Sequence, residues 1–278
     1  MTDYASPQPA AARPRRARNW LSLSAKTWFA VTAIGQWFFV VYILGFYVPR
    51  VSANGPKGLE GTHLPNGYIE GDTIGNIAIV MHILVAAFII AAGQLQLIPA
   101  IRQRMPKLHR WSGRFYMGAS VLVVLAGLYL SWAREAAIGT NLQSLGTSTG
   151  GVLVLIFVPL ALYAAIKRDF AAHRRWALRL FMVVSAVWYF RLIIFGWLMT
   201  TGGAFMDTKT FTGPFLLVAS YAQFALPLLV LQLYFWAEKP KNKAHKTWVA
   251  GVIFACTGMM AIGVFAVTMG FWIPRVFT

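Results

Sequence analysis

The chain has 278 residues, of which 58% are apolar, 15% aromatic and only 12% charged, with a formal charge of +17. Soluble domains run at about 45–50% apolar and about 25% charged, so the composition excludes a water-soluble globule. A mean hydropathy of +0.60 points the same way.

A bilayer core about 30 Å thick takes about 20 apolar residues per helix. Runs of that kind predict seven spans, at 28–48, 74–98, 113–133, 150–167, 176–199, 214–236 and 248–272. The expected fold is an all-α integral membrane protein, a single seven-helix bundle over 27–278, with residues 1–26 as a disordered basic tail. No small-residue cleavage site follows the first run, which reads as a retained anchor and not a signal peptide. Pro99, Pro106 and Pro214 fall where helices end, and Pro159 and Pro227 fall inside spans, where they predict kinks. Trp28, Tyr47, Trp111, Trp132, Trp176, Trp197, Trp236, Trp248 and Trp272 lie near span ends and read as aromatic belts.

The basic residues alternate by loop. Nineteen Lys and Arg fall in the tail, in 102–114, in 167–179 and in 239–246, five fall in the opposite connections or at the C-terminus, and Arg191 lies within a span. By the positive-inside rule the N-terminus is cytoplasmic and the C-terminus outside, in the cell inner (cytoplasmic) membrane. The charge is therefore topogenic, and nucleic acid is not an expected partner. Cys256 is the only cysteine, so no internal disulfide or cysteine-based metal motif is available. His63 and His245 read as solvated loop residues.

No Asp or Glu lies in any span, and away from the span ends Arg191 is the one formal charge in the hydrocarbon. Three histidines stand out: His82 in span two, His109 just before span three and His173 just before span five. On helical geometry the His82 face carries Ala86, Ile89, Gly93 and Gln96, and the His109 face carries Gly113, Tyr116, Ser120, Gly127 and Ser131. Small and polar faces pack against helices rather than lipid, so all three histidines are expected to face the bundle. Two polar levels follow. The outer one holds His82 and Arg191, each about 12–14 Å from the outer helix ends, and Gln223 at a similar depth. The inner one holds His109 and His173. Their segments echo each other: His109-Arg110-Trp111 before Arg114, and His173-Arg174-Arg175-Trp176 before Arg179. Helix N-termini with added Arg and His favour anions.

The segment from about 77 to 196 resembles the predicted-membrane-protein family catalogued as domain of unknown function 2306. The matching pieces are His82-Ile83-Leu84, Gly93-Gln94-Leu95-Gln96, Pro106 through Arg114 with His109-Arg110-Trp111 at its centre, Ala172-His173-Arg174-Arg175-Trp176, and Arg191-Leu192. The resemblance implies a core of spans two to five (about 74–199) and carries no reaction with it.

Three readings follow. In the first, the protein is a redox protein holding haem b or acting on a quinone, with His109 and His173 as candidate iron ligands. His82, Gln96, Arg191 and Gln223 complete the cofactor-binding candidates. In the second, it carries or binds an anionic or lipidic molecule, drawn by Arg191 and the basic helix starts. In the third, it is a non-catalytic accessory subunit with a membrane partner. No Gly-x-Ser-x-Gly turn, His-Glu-x-x-His pair or phosphate loop supports a hydrolase.

Overall fold

The computed structural model describes residues 19–64, 66–134, 139–239 and 243–277. Its first helix, α1 (Trp20–Asn54), begins where the Asn19 side chain accepts the Ser22 N–H. The helix thus takes in residues 20–26, which the composition assigned to the tail, while 1–18 lie outside the described residues. A 3₁₀ turn (Gly55–Leu59) folds back and buries Leu59. Then come α2 (Thr73–Leu97), the short α3 (Pro99–Arg104), α4 (Pro106–Trp132) and α5 (Asn141–Ile166). They are followed by α6 (Phe170–Val184), α7 (Ala186–Thr201), α8 (Pro214–Glu238) and α9 (Lys243–Val267). A π-turn (Thr268–Trp272) and α10 (Ile273–Phe277) extend α9.

Local chemistry sets these starts. Pro99, Pro106 and Pro214 each open a helix, where the missing N–H costs nothing. Asp72 and Asp169 cap α2 and α6, and Thr140 with Gln143 forms a capping box on α5. Six helices (α1, α2, α4, α5, α8 and α9) are long and apolar enough to cross a membrane. The pair α6 and α7, bent by 49° at Ser185, makes up the seventh span when counted as one. Large apolar side chains stay exposed on the outer faces, among them Leu122, Leu229 and Phe265, as lipid contact requires. The bundle is all-α and multi-pass, as the sequence predicts.

Contacts between α1 and α2, α2 and α4, α4 and α5, α5 and α8, α8 and α9, and α9 and α1 close a ring. The bent segment threads this ring, α6 packing on α5 and α8 and α7 on α8 and α9. Gly263 of α9 lets α7 approach closely, since a Cβ there would meet the Leu192 carbonyl oxygen at 2.7 Å.

The structure departs from the sequence reading at two points. A break of 49° falls at Ser185, where there is no proline, while α5 and α8 stay helical through Pro159 and Pro227. The break is a polar point: Gln36 donates to Ser185 Oγ at 2.9 Å, and Gln94 donates to Gln36 Oε1 at 3.3 Å. All three residues are buried. In addition, Tyr47 and Trp272 are not belt residues. They are 3% and 2% exposed inside the core, with Trp272 stacked on Phe39. Trp111, Trp132 and Trp248 are exposed, as belt residues should be.

Candidate functional site

The inner polar level is a cavity. An opening of about 1730 Å³ runs into the bundle from the side bearing the starts of α1, α4 and α6. His109 and His173 both line it, each the fourth residue of its helix. The helices that carry them, α4 and α6, each pack along α5, which leaves the space between them open. The echo seen in sequence thus becomes two histidines lining one cavity.

The two rings are held differently. His173 Nδ1 lies 2.9 Å from the Ala161 carbonyl oxygen of α5. A carbonyl can only accept, so Nδ1 is the donor, and Nε2 is the ring nitrogen turned to other partners. His109 Nδ1 is buried and has no hydrogen-bond partner. Gln96 also lines the cavity and donates to Ser112 Oγ at 2.7 Å, which leaves its carbonyl oxygen available. Tyr116 forms part of the wall at 5% exposure, and its hydroxyl has no partner in the protein. A buried hydroxyl left unpaired costs about 1–3 kcal/mol. Lys26, Arg102, Arg110, Arg114 and Arg174 stand around the same cavity, whose deeper wall is apolar with Trp28, Phe181 and Leu192. Arg174 is the one of these in an ion pair, bidentate to Glu238 at 2.8 Å.

The outer level is divided. His82 Nδ1 lies 3.0 Å from the Val123 carbonyl oxygen, and His82 is within electrostatic reach of Arg191. Gln223 does not join them. It is buried in the α5–α8 seam, donating to Ser220 O at 2.7 Å and to Thr147 Oγ1 at 3.3 Å. Arg191 donates to Val187 O at 2.9 Å and lies 4.9 Å over the Phe39 ring. Gln223 is not among its partners. An unpaired arginine in a span costs at least about 2.5–3.5 kcal/mol on insertion scales.

His63 is exposed, as the sequence reading has it, but it is bonded to the bundle, and His245 is more enclosed than expected. From the outer loop, His63 Nε2 meets Tyr42 Oη at 3.2 Å and Tyr47 Oη at 3.0 Å, and its ring packs edge-on to Phe271. Burial among these rings, with Arg191 and Arg275 nearby, lowers its pKa from 6.5 to about 4. His245 stacks edge-to-face on Trp236 at 3.5 Å between ring centroids.

Tyr116 was legible as a polar position on the His109 face. Gln36 and Gln94 were legible as amides inside spans, but their meeting with Ser185 was not. Among the described residues no group of three or more His, Cys, Asp or Glu side chains forms a metal site.

A closed ring of apolar helices threaded by a bent one defines a polytopic membrane protein of the α-helical class. Residues 79–235, more than half the chain, match the family model described as "Predicted membrane protein (DUF2306)". The chain belongs to that family. No curated protein and no solved structure matches it.

Proposed function

We propose that the protein binds a membrane quinone or quinol in the cavity between α4 and α6, as a redox protein of the membrane. The observation that supports this best is the convergence of His109, His173, Tyr116 and Gln96 on one cavity with an apolar deeper wall. A quinone carries two oxygens on an apolar body. The Tyr116 hydroxyl suits a quinone carbonyl as donor. His173 Nε2, its ring set by Ala161 O, suits a quinol hydroxyl as acceptor. Pockets of this kind, apolar with a few convergent polar groups, are the usual small-molecule sites. We place the basic side in the cytoplasm of the cell inner membrane by the charge asymmetry of the loops.

A second reading, haem b on His109 and His173, draws support from their matching positions in one cavity. His173 has the Nδ1-to-carbonyl bond that orients a ligating histidine. His109 lacks it, so only one of the two rings fits the ligand pattern and the quinone reading stands first. A carrier of another anionic lipid would use the same cavity and its arginines.

The test uses protein purified in mild detergent, extracted with organic solvent and analysed by mass spectrometry. A dithionite-reduced minus oxidised spectrum is taken on the same sample. Co-purifying quinone, with quenching of tryptophan fluorescence by a short-chain quinone that is weakened in His173→Ala, supports the proposal. A b-type α-band lost in His109→Ala turns the assignment to haem. The absence of both quinone and quenching overturns it.

A further inference from the structure

We propose that the outer half of the bundle holds a separate binding site for an oxyanion, a phosphate or carboxylate group, built on Arg191 with the Tyr47 hydroxyl.

Arg191 uses one N–H on Val187 O and lays its plane over Phe39. Among the described residues it forms no ion pair. The two that exist, Arg134–Asp72 and Arg174–Glu238, lie elsewhere. Its charged neighbours have the same sign. Arg191 and Arg275 both act on His63, and Arg50 acts with them on Tyr47.

The three arginines are held alike. Arg50 donates to Phe46 O at 2.7 Å and sits 3.8 Å over the Phe46 ring. Arg275 donates to Phe271 O at 3.3 Å and sits 3.6 Å over the Phe271 ring. In each case the preceding helical turn takes one N–H and an aromatic ring takes one face. The remaining N–H edges meet no carboxylate among the described residues. A fixed guanidinium edge is the donor geometry that matches a carboxylate or phosphate.

The tyrosines supply a further donor. Both hydroxyls, on side chains 2% and 3% exposed, converge on His63 Nε2. Tyr42 Oη donates to Tyr47 Oη at 3.4 Å, so with the ring proton on Nε2 the Tyr47 hydrogen is the one left to donate to an anion. Arg191 is half-buried as a residue, and Val187, one turn earlier on the same face, is 43% exposed.

The oxyanion could come from solution or from a lipid headgroup, and the experiment separates these. Full-length protein is reconstituted in phosphatidylcholine nanodiscs. Thermal unfolding is followed by tryptophan fluorescence while inorganic phosphate is titrated at constant ionic strength. A saturable rise in Tm is expected for the wild type and for Lys57→Gln, an exposed cation outside the cluster. The apparent affinity should fall about tenfold or more in Arg191→Gln and in Tyr47→Phe, which keeps the ring. If phosphate has no effect, but phosphatidylglycerol discs raise Tm in the wild type and not in the two variants, the oxyanion is that of a lipid. Equal responses of wild type and both variants to both probes, or no response to either, overturn the proposal. Quinone content, read at the other cavity, is independent of either result.

Discussion

Gln36 of α1 donates to Ser185 Oγ at 2.9 Å at the point where the threaded helix breaks by 49°. A helix break frees backbone groups that lipid cannot satisfy. Here the bend is instead buried within the ring, and a chain of side-chain bonds from Gln94 through Gln36 reaches it. The bend sets α6 against α5 beside the cavity and α7 against α9 near Arg191. One polar contact therefore supports the geometry of both halves.

Replacing Gln36 by Leu removes the bond to Ser185 and leaves the Gln94 amide unpaired. A loss of about 1–3 kcal/mol is expected. The double variant Gln36→Leu/Ser185→Ala should lose less than the sum of the single changes, since the pair is coupled. Unfolding in mixed micelles for the four forms of the cycle measures this. Strict additivity would mean that the bond does not link α1 to the break.

The start of α2 and the end of α4 are locked together by a different device. The Arg134 side chain, 2% exposed, lies 3.0 Å from Asp72 and donates to Gly75 O and Asn76 Oδ1. Removing one partner of a buried pair strands the other and costs about 3–5 kcal/mol. Arg134→Ala should fall at the lower end because Asp72 is 27% exposed. Proteolysis of the loop following α4 and the unfolding midpoint both report it. A change below about 0.5 kcal/mol would place the pair with ordinary surface bridges.

How far the sequence carries varies with the kind of interaction. The span count and the joining of His109 with His173 were legible because helical period and a repeated motif act locally. Gln96 followed from the same face count. The assignment of Tyr47 and Trp272 to belts failed because an aromatic near a span end looks the same whether it meets lipid or another helix. The place of His63 depended on a loop folding back onto α1, which no periodicity records. The Ser185 break escaped because it has no proline and depends on Gln36 from a distant span. Gln223 was grouped with Arg191 by its position along the span alone, which does not record that its side chain faces α5.

Helix approach in α9 gives a paired prediction. A Cβ on Gly263 would meet the Leu192 carbonyl oxygen at 2.7 Å and its Cβ at 2.9 Å, whereas a Cβ on Gly258 meets nothing within 4 Å. Gly263→Ala should therefore destabilise by about 1–3 kcal/mol through overpacking. Gly258→Ala should be neutral or stabilising by up to about 1 kcal/mol from helix propensity. Thermal unfolding of the two variants side by side decides it. Equal effects would mean that α7 and α9 are not in close contact.

His63 gives the pH dependence. Its folded pKa is lowered from 6.5 to about 4, so the neutral ring is favoured in the folded state. The stability it contributes is present above about pH 6.5 and is lost as pH falls toward 4. The ring is exposed on its loop side, so the effect is expected to stay below about 1 kcal/mol. Comparing Tm at pH 7 and pH 4.5 for wild type and His63→Gln isolates it. The variant should lose less on acidification, and an identical loss would remove His63 from the account.

Tyr116 separates a ligand cavity from a merely imperfect core. Its hydroxyl is buried without a partner on the wall of the cavity that His109 and His173 line. In the ligand-free protein, Tyr116→Phe removes a group whose desolvation is uncompensated, so stability should hold or rise by about 1 kcal/mol. If the hydroxyl donates to a bound quinone oxygen, the same change should weaken short-chain quinone binding about fivefold to tenfold. A variant that gains stability and loses affinity is the signature of a site kept at a cost to the fold. One that gains stability and binds quinone as before would leave the hydroxyl as a packing fault and move the head group toward His173 and Gln96.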